Sequence, residues 1–112
     1  MNKNYIKFYV PSTRDGGIPL DDETTRLLVK KVEIQFAQKF GGFTAYPAFG
    51  GWYSQDKNTI IQENITIIES YYSCNDDEAL RFSVNLAREI AKEWNQEAIS
   101  IETREGIEFV SQ

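Results

Sequence analysis

The run Tyr5-Ile6-Lys7-Phe8-Tyr9-Val10 alternates with the period of two that a strand requires. It predicts a strand with Ile6, Phe8 and Val10 on one face and Tyr5, Lys7 and Tyr9 on the other. Pro11 ends it, and Arg14-Asp15-Gly16-Gly17 marks a turn. The period then changes. Leu28, Val32, Phe36 and Phe40 recur every fourth residue, with Val29 widening the stripe, which predicts an amphipathic helix of about five turns. Asp21 or Asp22 supplies its N-cap, and Gly41-Gly42 its stop.

After that stop, 43–46 predicts a short strand ending before Pro47, and 49–53 (Phe-Gly-Gly-Trp-Tyr) a loop rich in aromatic rings and glycine. Asp56-Lys57-Asn58 is a turn. The span 60–72 is the longest strand candidate, and apolar residues on both faces make it central. Ile65 and Ile67 are assigned to the core face, and Thr66, Ile68 and Ser70 to the reverse. Asn75 with Glu78 three residues later reads as a capping box. Leu80, Val84, Ala87, Ala91 and Trp94 then form a second helical stripe, broadened by Phe82, Leu86 and Ile90 and ending near Asn95. Ile99 and Ile101 mark a strand, Glu105-Gly106 a turn and 107–110 a closing strand.

The order is β-α-β-β-α-β plus one strand. It predicts an α+β chain, a single ferredoxin-like domain over 1–112: an antiparallel sheet with both helices on one face and an extra C-terminal strand. Ile6, Phe8, Ile65, Ile67, Ile99 and Ile101 are expected under the helices. Tyr5, Tyr9, Thr66, Ile68 and Ser100 are expected on the reverse face. That face is too apolar to leave wet, so a homodimer through it is expected.

Composition narrows the function classes. A formal net charge of −5 with dispersed Lys and Arg argues against polymeric nucleic acid, whose binders owe their affinity to cationic side chains. No window approaches a membrane span, and the first residues lack the apolar run of a leader, so a cytoplasmic protein is expected. The single cysteine, Cys74, excludes an internal disulfide and precedes a helix whose dipole is expected to lower its thiol pKa. The absence of histidine excludes a His-based triad, dyad or metal site. Asp21-Asp22-Glu23 and Asp76-Asp77-Glu78 open helices and are read as capping residues rather than metal ligands. No metal or cofactor is expected.

The remaining chemistry lies in the paired glycines and the rings beside them. Gly50 and Gly51 allow close backbone approach, and Phe49, Trp52 and Tyr53 offer stacking surfaces. Arg14 and Arg104 are candidates for an anionic group, and Glu63 for a ligand hydroxyl or a general base.

The segment Phe40-Gly41-Gly42-Phe43-Thr44, then Gly51-Trp52, the Glu63 strand and Gln96-Glu97-Ala98-Ile99 together resemble a group of small uncharacterised bacterial and phage proteins. Phage proteins of this size include sponges that sequester cyclic nucleotide or cyclic ADP-ribose signals. By that analogy the expected function is non-enzymatic sequestration of a small anionic nucleotide-like ligand, an anti-defence role. The alternatives are a protein-interaction module or homodimeric structural domain, and a small enzyme using Glu63.

Overall fold

The computed structural model describes residues 4–14, 18–96 and 98–112. The Asp15-Gly16-Gly17 turn and Glu97 lie outside the described residues. Strand β1 (Tyr5–Pro11) leads into a two-stranded ribbon, β2 (Thr13–Arg14) with β3 (Ile18–Pro19). Helix α1 (Asp22–Phe40), the hairpin β4 (Thr44–Ser54) and β5 (Thr59–Tyr71), helix α2 (Asp76–Glu93), and the hairpin β6 (Ala98–Thr103) and β7 (Gly106–Ser111) follow. The main sheet has the order β4-β5-β1-β6-β7, antiparallel at every pairing. This is the expected ferredoxin-like α+β arrangement with a fifth strand added at the C-terminal edge.

Both helices cover one face of the sheet, because only that face supplies a continuous apolar surface to both stripes. Leu28, Val32 and Phe36 of α1 and Ala79, Leu86, Ala87, Ile90 and Ala91 of α2 are buried against Ile6, Phe8, Val10, Ile68, Ile99, Ile101 and Val110. The α1 stripe is the expected one. The α2 stripe is rotated: Ala79 and Ser83 are buried where Leu80 and Val84 were expected, and those two are half-buried. Small residues there bring the helix axis close to the sheet. Phe36 meets Phe8 and Phe40 edge-on at centroid distances of 5.8 and 5.2 Å.

Both helices start as the sequence indicates. Asp21 accepts from the Thr24 amide and Asn75 from the Glu78 amide, each at 2.7 Å. Only that half of the capping box accounts for Glu78, whose carboxylate instead takes Lys39 Nζ at 2.8 Å. Gly41 closes α1 at φ 95°, a conformation that disfavours a Cβ. Burial, followed by the Glu78 charge, pushes the Cys74 thiol up, which corrects the expectation of a lowered pKa.

Two predictions about β4 and β5 are corrected. First, β4 does not stop at Pro47 but runs to Ser54, so the aromatic and glycine segment is strand, not loop. Pro47 is tolerated because β4 is an edge strand, where a missing N–H costs no ladder bond. Second, the faces of β5 are exchanged. Phe8 pairs with Ile68, and Tyr9 with Ile67, so Ile68 lies in the core while Ile65 and Ile67 lie on the open reverse face. Either alternation of the Ile-Thr-Ile-Ile run looks plausible in isolation; the register against β1 decides.

This assignment predicts that Ile68→Ala lowers unfolding free energy by about 2–4 kcal/mol in urea titration, as expected when a filled core is emptied. Ile65→Ala, on the open face, is expected to cost less than about half of that. Equal costs would contradict the face assignment.

Candidate functional site

Residues directly opposite in an antiparallel ladder share a face, so the pairings define what lies on the side without helices. Trp52 stands with Ile61, Gly50 with Glu63, Ala48 with Ile65, and Tyr46 with Ile67. Tyr9, Lys7 and Tyr5 of β1 join them, as do Glu102 opposite Lys7 and Phe109 opposite Ser100. The open face is therefore a band of aromatic and apolar residues crossed by Glu63, Glu69, Glu102 and Lys7.

A cleft of about 70 Å³ sits near the Pro11 end of this face, lined by Tyr9, Pro11, Glu63, Ile65, Ala98 and Ser100. Glu63 is half-buried there and accepts a hydrogen bond from the Thr13 hydroxyl at 2.5 Å, which ties the β2–β3 ribbon to β5. Ser12 adds a second tie, its hydroxyl donating to the Asn64 carbonyl at 2.6 Å. Gly50 faces Glu63, and a Cβ at that position would collide with Cδ1 of Ile65. Glycine at 50 thus leaves room for the Ile65 terminal methyl, which any larger residue there would oblige to shift.

Next to the cleft lies a polar network. The Tyr9 hydroxyl donates to Glu102 Oε1 at 2.5 Å, and that bond, followed by burial and the Glu102 charge, pushes the phenol up to about 12. Lys7 Nζ lies 3.6 Å from Glu69 and 5.6 Å from the Tyr5 ring centroid. Burial pulls the Lys7 ammonium down, but the hydrogen bond to Tyr46 and the charges of Tyr46, Glu102 and Glu69 outweigh it, and its pKa is raised. Lys7 is thus committed to its neighbours, and the face retains net negative charge.

The structure separates the eight residues singled out in the sequence. Gly50, Trp52 and Glu63 share the open face. Phe49, Gly51 and Tyr53 alternate to the opposite side of β4, where Phe49 is 87% exposed and the Tyr53 hydroxyl is hydrogen-bonded to Asn58. Arg14 lines a different cleft, of about 410 Å³, with Leu20, Asp21, Glu93 and Trp94. Arg104 sits at the β6–β7 turn, beyond the Thr103 position that pairs with Ile6, while Arg14 follows the far end of β1. The two arginines lie at opposite ends of the sheet and do not converge on one anion. Gly41-Gly42 likewise ends at the side of the molecule away from Gly50-Gly51. Tyr9, Lys7, Ser100 and Glu102 are among the additional polar members of the face. The sequence signals only their alternation, because their meeting depends on β1–β6 pairing.

A larger hollow of about 530 Å³ at the start of α2 is lined by Asn75, Asp76, Asp77, Glu78 and Arg81. Asn75 is used in the helix cap and Glu78 by Lys39. Among the described residues, no group of three or more potential ligands gathers to hold a metal ion, and no helix is long and apolar enough to cross a membrane.

The Tyr9 pair gives a direct test. A folded-state pKa of about 12 lies above the ordinary tyrosine value of about 10. Stability from this bond is complete below pH about 10 and declines as pH rises toward 12, where the unfolded chain has already lost its proton. Burial and a hydrogen bond to Asp76 raise Tyr72 similarly. Alkaline absorbance titration is expected to show late ionisation of Tyr9 and Tyr72, with Glu102→Ala moving the Tyr9 ionisation back toward the ordinary range.

No protein-family model matches the chain, and no curated protein matches it by sequence. Among solved structures it is similar to a phage SAM lyase in complex with S-methyl-5′-thioadenosine, with a TM-score of 0.72 and 14% identity over 100% of this chain and 92% of that one. It is similar to a phage SAM lyase in the apo state with a TM-score of 0.72 and 15% identity over 99% of this chain and 90% of that one. At such identity the likeness establishes the fold. It also corrects the expected function. The full-length structural match is to proteins named for an enzymatic activity, and the site is acidic rather than cationic, so sequestration of an anionic cyclic nucleotide is set aside.

Proposed function

We propose that the chain is an S-adenosylmethionine lyase whose substrate occupies the open face at the Glu63 cleft. The observation that carries this reading is a half-buried carboxylate in a net-negative, aromatic cleft, on a fold matched end to end by phage SAM lyases. S-adenosylmethionine is a sulfonium cation with an adenine ring. Carboxylates and aromatic faces suit the charge, and Trp52 on the same face offers a stacking surface for the base.

Lyase cleavage adds no water. The bond from sulfur to the γ-carbon of the methionine portion breaks, its electron pair leaves with sulfur, and neutral S-methyl-5′-thioadenosine departs. The four-carbon fragment then has two ways to balance: loss of a proton to give an alkene, or closure by its own carboxylate to give a lactone. Closure requires no proton acceptor. It asks the protein only for orientation and charge, which suits a chain without histidine. Glu63 is assigned the substrate ammonium, holding the amino-acid portion so that its carboxylate faces the γ-carbon in line with sulfur.

A cleft of about 70 Å³ is far below the several hundred that a nucleoside ligand occupies. We infer that a second copy of the chain, seated on the open face, supplies the rest of the enclosure. Phe109, 71% exposed on that face, and Tyr71, 55% exposed, support this, as large rings left at a sheet surface gain from being covered.

The purified protein is expected to convert S-adenosylmethionine to S-methyl-5′-thioadenosine and a lactone, resolved by mass spectrometry. Glu63→Gln is expected to lower kcat/KM about a hundredfold or more while the fold is retained. Absence of turnover by the wild-type chain overturns the activity, and an alkene product overturns the closure route. Phe109→Glu is expected to shift sedimentation to a monomer and reduce turnover with it; an unchanged assembly would remove the second copy from the site.

A further inference from the structure

Tyr9 stands at the boundary between the Glu63 cleft and the polar network, and the two sides use different parts of it. The other cleft-lining residues, Pro11, Glu63, Ile65, Ala98 and Ser100, lie level with Tyr9 or beyond it toward the Pro11 end of the sheet. Glu102 lies in the other direction, opposite Lys7, and it takes the Tyr9 hydroxyl at 2.5 Å. The hydroxyl therefore points away from the cleft, leaving the ring as the cleft's border.

We propose that Tyr9 presents the face of its ring to the sulfonium centre of the substrate, and that Glu102 is the positioning residue that holds the ring in that orientation. This assignment rests on the reading of the cleft as an S-adenosylmethionine site. Two observations and one chemical argument support it. The phenol is engaged in a charge-assisted hydrogen bond and, with its pKa pushed up to about 12, stays protonated at neutral pH, which removes it as a base. Glu102 also faces a cation, because Lys7 lies opposite it on the same face and feels its charge. Lastly, a sulfonium has no N–H or O–H to donate, so a carboxylate can attract it but not orient it by a hydrogen bond. A ring face attracts such a weakly hydrated cation directly.

The assignment carries a kinetic signature. The positive charge is present in the ground state and has left the sulfur by the time the neutral thioether product forms. A ring that recognises this charge therefore acts on substrate affinity more than on the chemical step. It also discriminates the sulfonium from S-adenosylhomocysteine, the neutral thioether that lacks only the methyl group and the charge.

The test measures KM and kcat for S-adenosylmethionine and the inhibition constant for S-adenosylhomocysteine, in wild type and in Tyr9→Phe, Tyr9→Leu, Glu102→Gln and Glu102→Ala. Tyr9→Leu is expected to lose about tenfold of the preference for sulfonium over thioether through a raised KM, with kcat not lowered. Glu102→Ala is expected to lose a smaller part of it, about threefold. Glu102→Gln, whose amide oxygen still accepts from the phenol, is expected to retain the preference, and Tyr9→Phe, which keeps the ring, to retain most of it. The two conservative variants keep the test decisive should the truncations fold poorly. An unchanged sulfonium-to-thioether ratio in Tyr9→Leu overturns the assignment. So does a loss in Tyr9→Phe as severe as in Tyr9→Leu, which would place the role on the hydroxyl. If wild type turns over S-adenosylmethionine and either result appears, only the Tyr9 assignment fails. If wild type neither binds nor cleaves it, the reading of the cleft fails and takes this one with it.

Discussion

The pairing of β1 with β5 is the constraint on which the rest depends. With Phe8 opposite Ile68, the sheet sends Ile6, Phe8, Val10 and Ile68 toward both helices and sends Tyr9, Ile65 and Ile67 the other way. A slip of β5 by one residue would exchange the faces of its own side chains, turning Ile68 outward and Glu69 toward the helices, away from Lys7. The cost of burying a carboxylate, together with the place Ile68 fills beside Phe8 in the core, favours the observed register.

That same parity builds the site. Glu63, Ile65, Tyr9 and Ser100 line one cleft because they project from three strands to one side toward the Pro11 end of the sheet. The β2–β3 ribbon then folds back so that Thr13 takes the Glu63 carboxylate, fixing the group that borders the cleft. Gly50 leaves space for Ile65, so a glycine that looks like a loop residue serves a packing role within a strand.

The electrostatic character of the face separates ligand classes. Among the described residues of the face, the ammonium of Lys7 is paired with Glu69 and influenced by Tyr46 and Glu102, while Glu63 borders the cleft. The arginines that might have recognised phosphate stand at opposite ends of the sheet. A face of this kind attracts a cation and repels a polyphosphate, in keeping with the acidic balance of the whole chain.

Much of the fold was legible in the residues themselves. The four-residue spacing of Leu28, Val32 and Phe36, the caps at Asp21 and Asn75 and the stop at Gly41 define helices by local physics alone, and the element order then leaves few topologies. Gly50, Trp52 and Glu63 were also recognisable as candidates from residue type. Local pattern did not decide the face of Ile68, the continuation of β4 through Pro47, the rotation of α2, the scattering of Arg14 and Arg104, or the meeting of Tyr9 with Glu102 across 93 positions of chain. Each of these depends on which strand lies beside which, and in what register. Pairing energy comes from contacts between segments distant in sequence, so it has no period along the chain, and only the assembled sheet contains it.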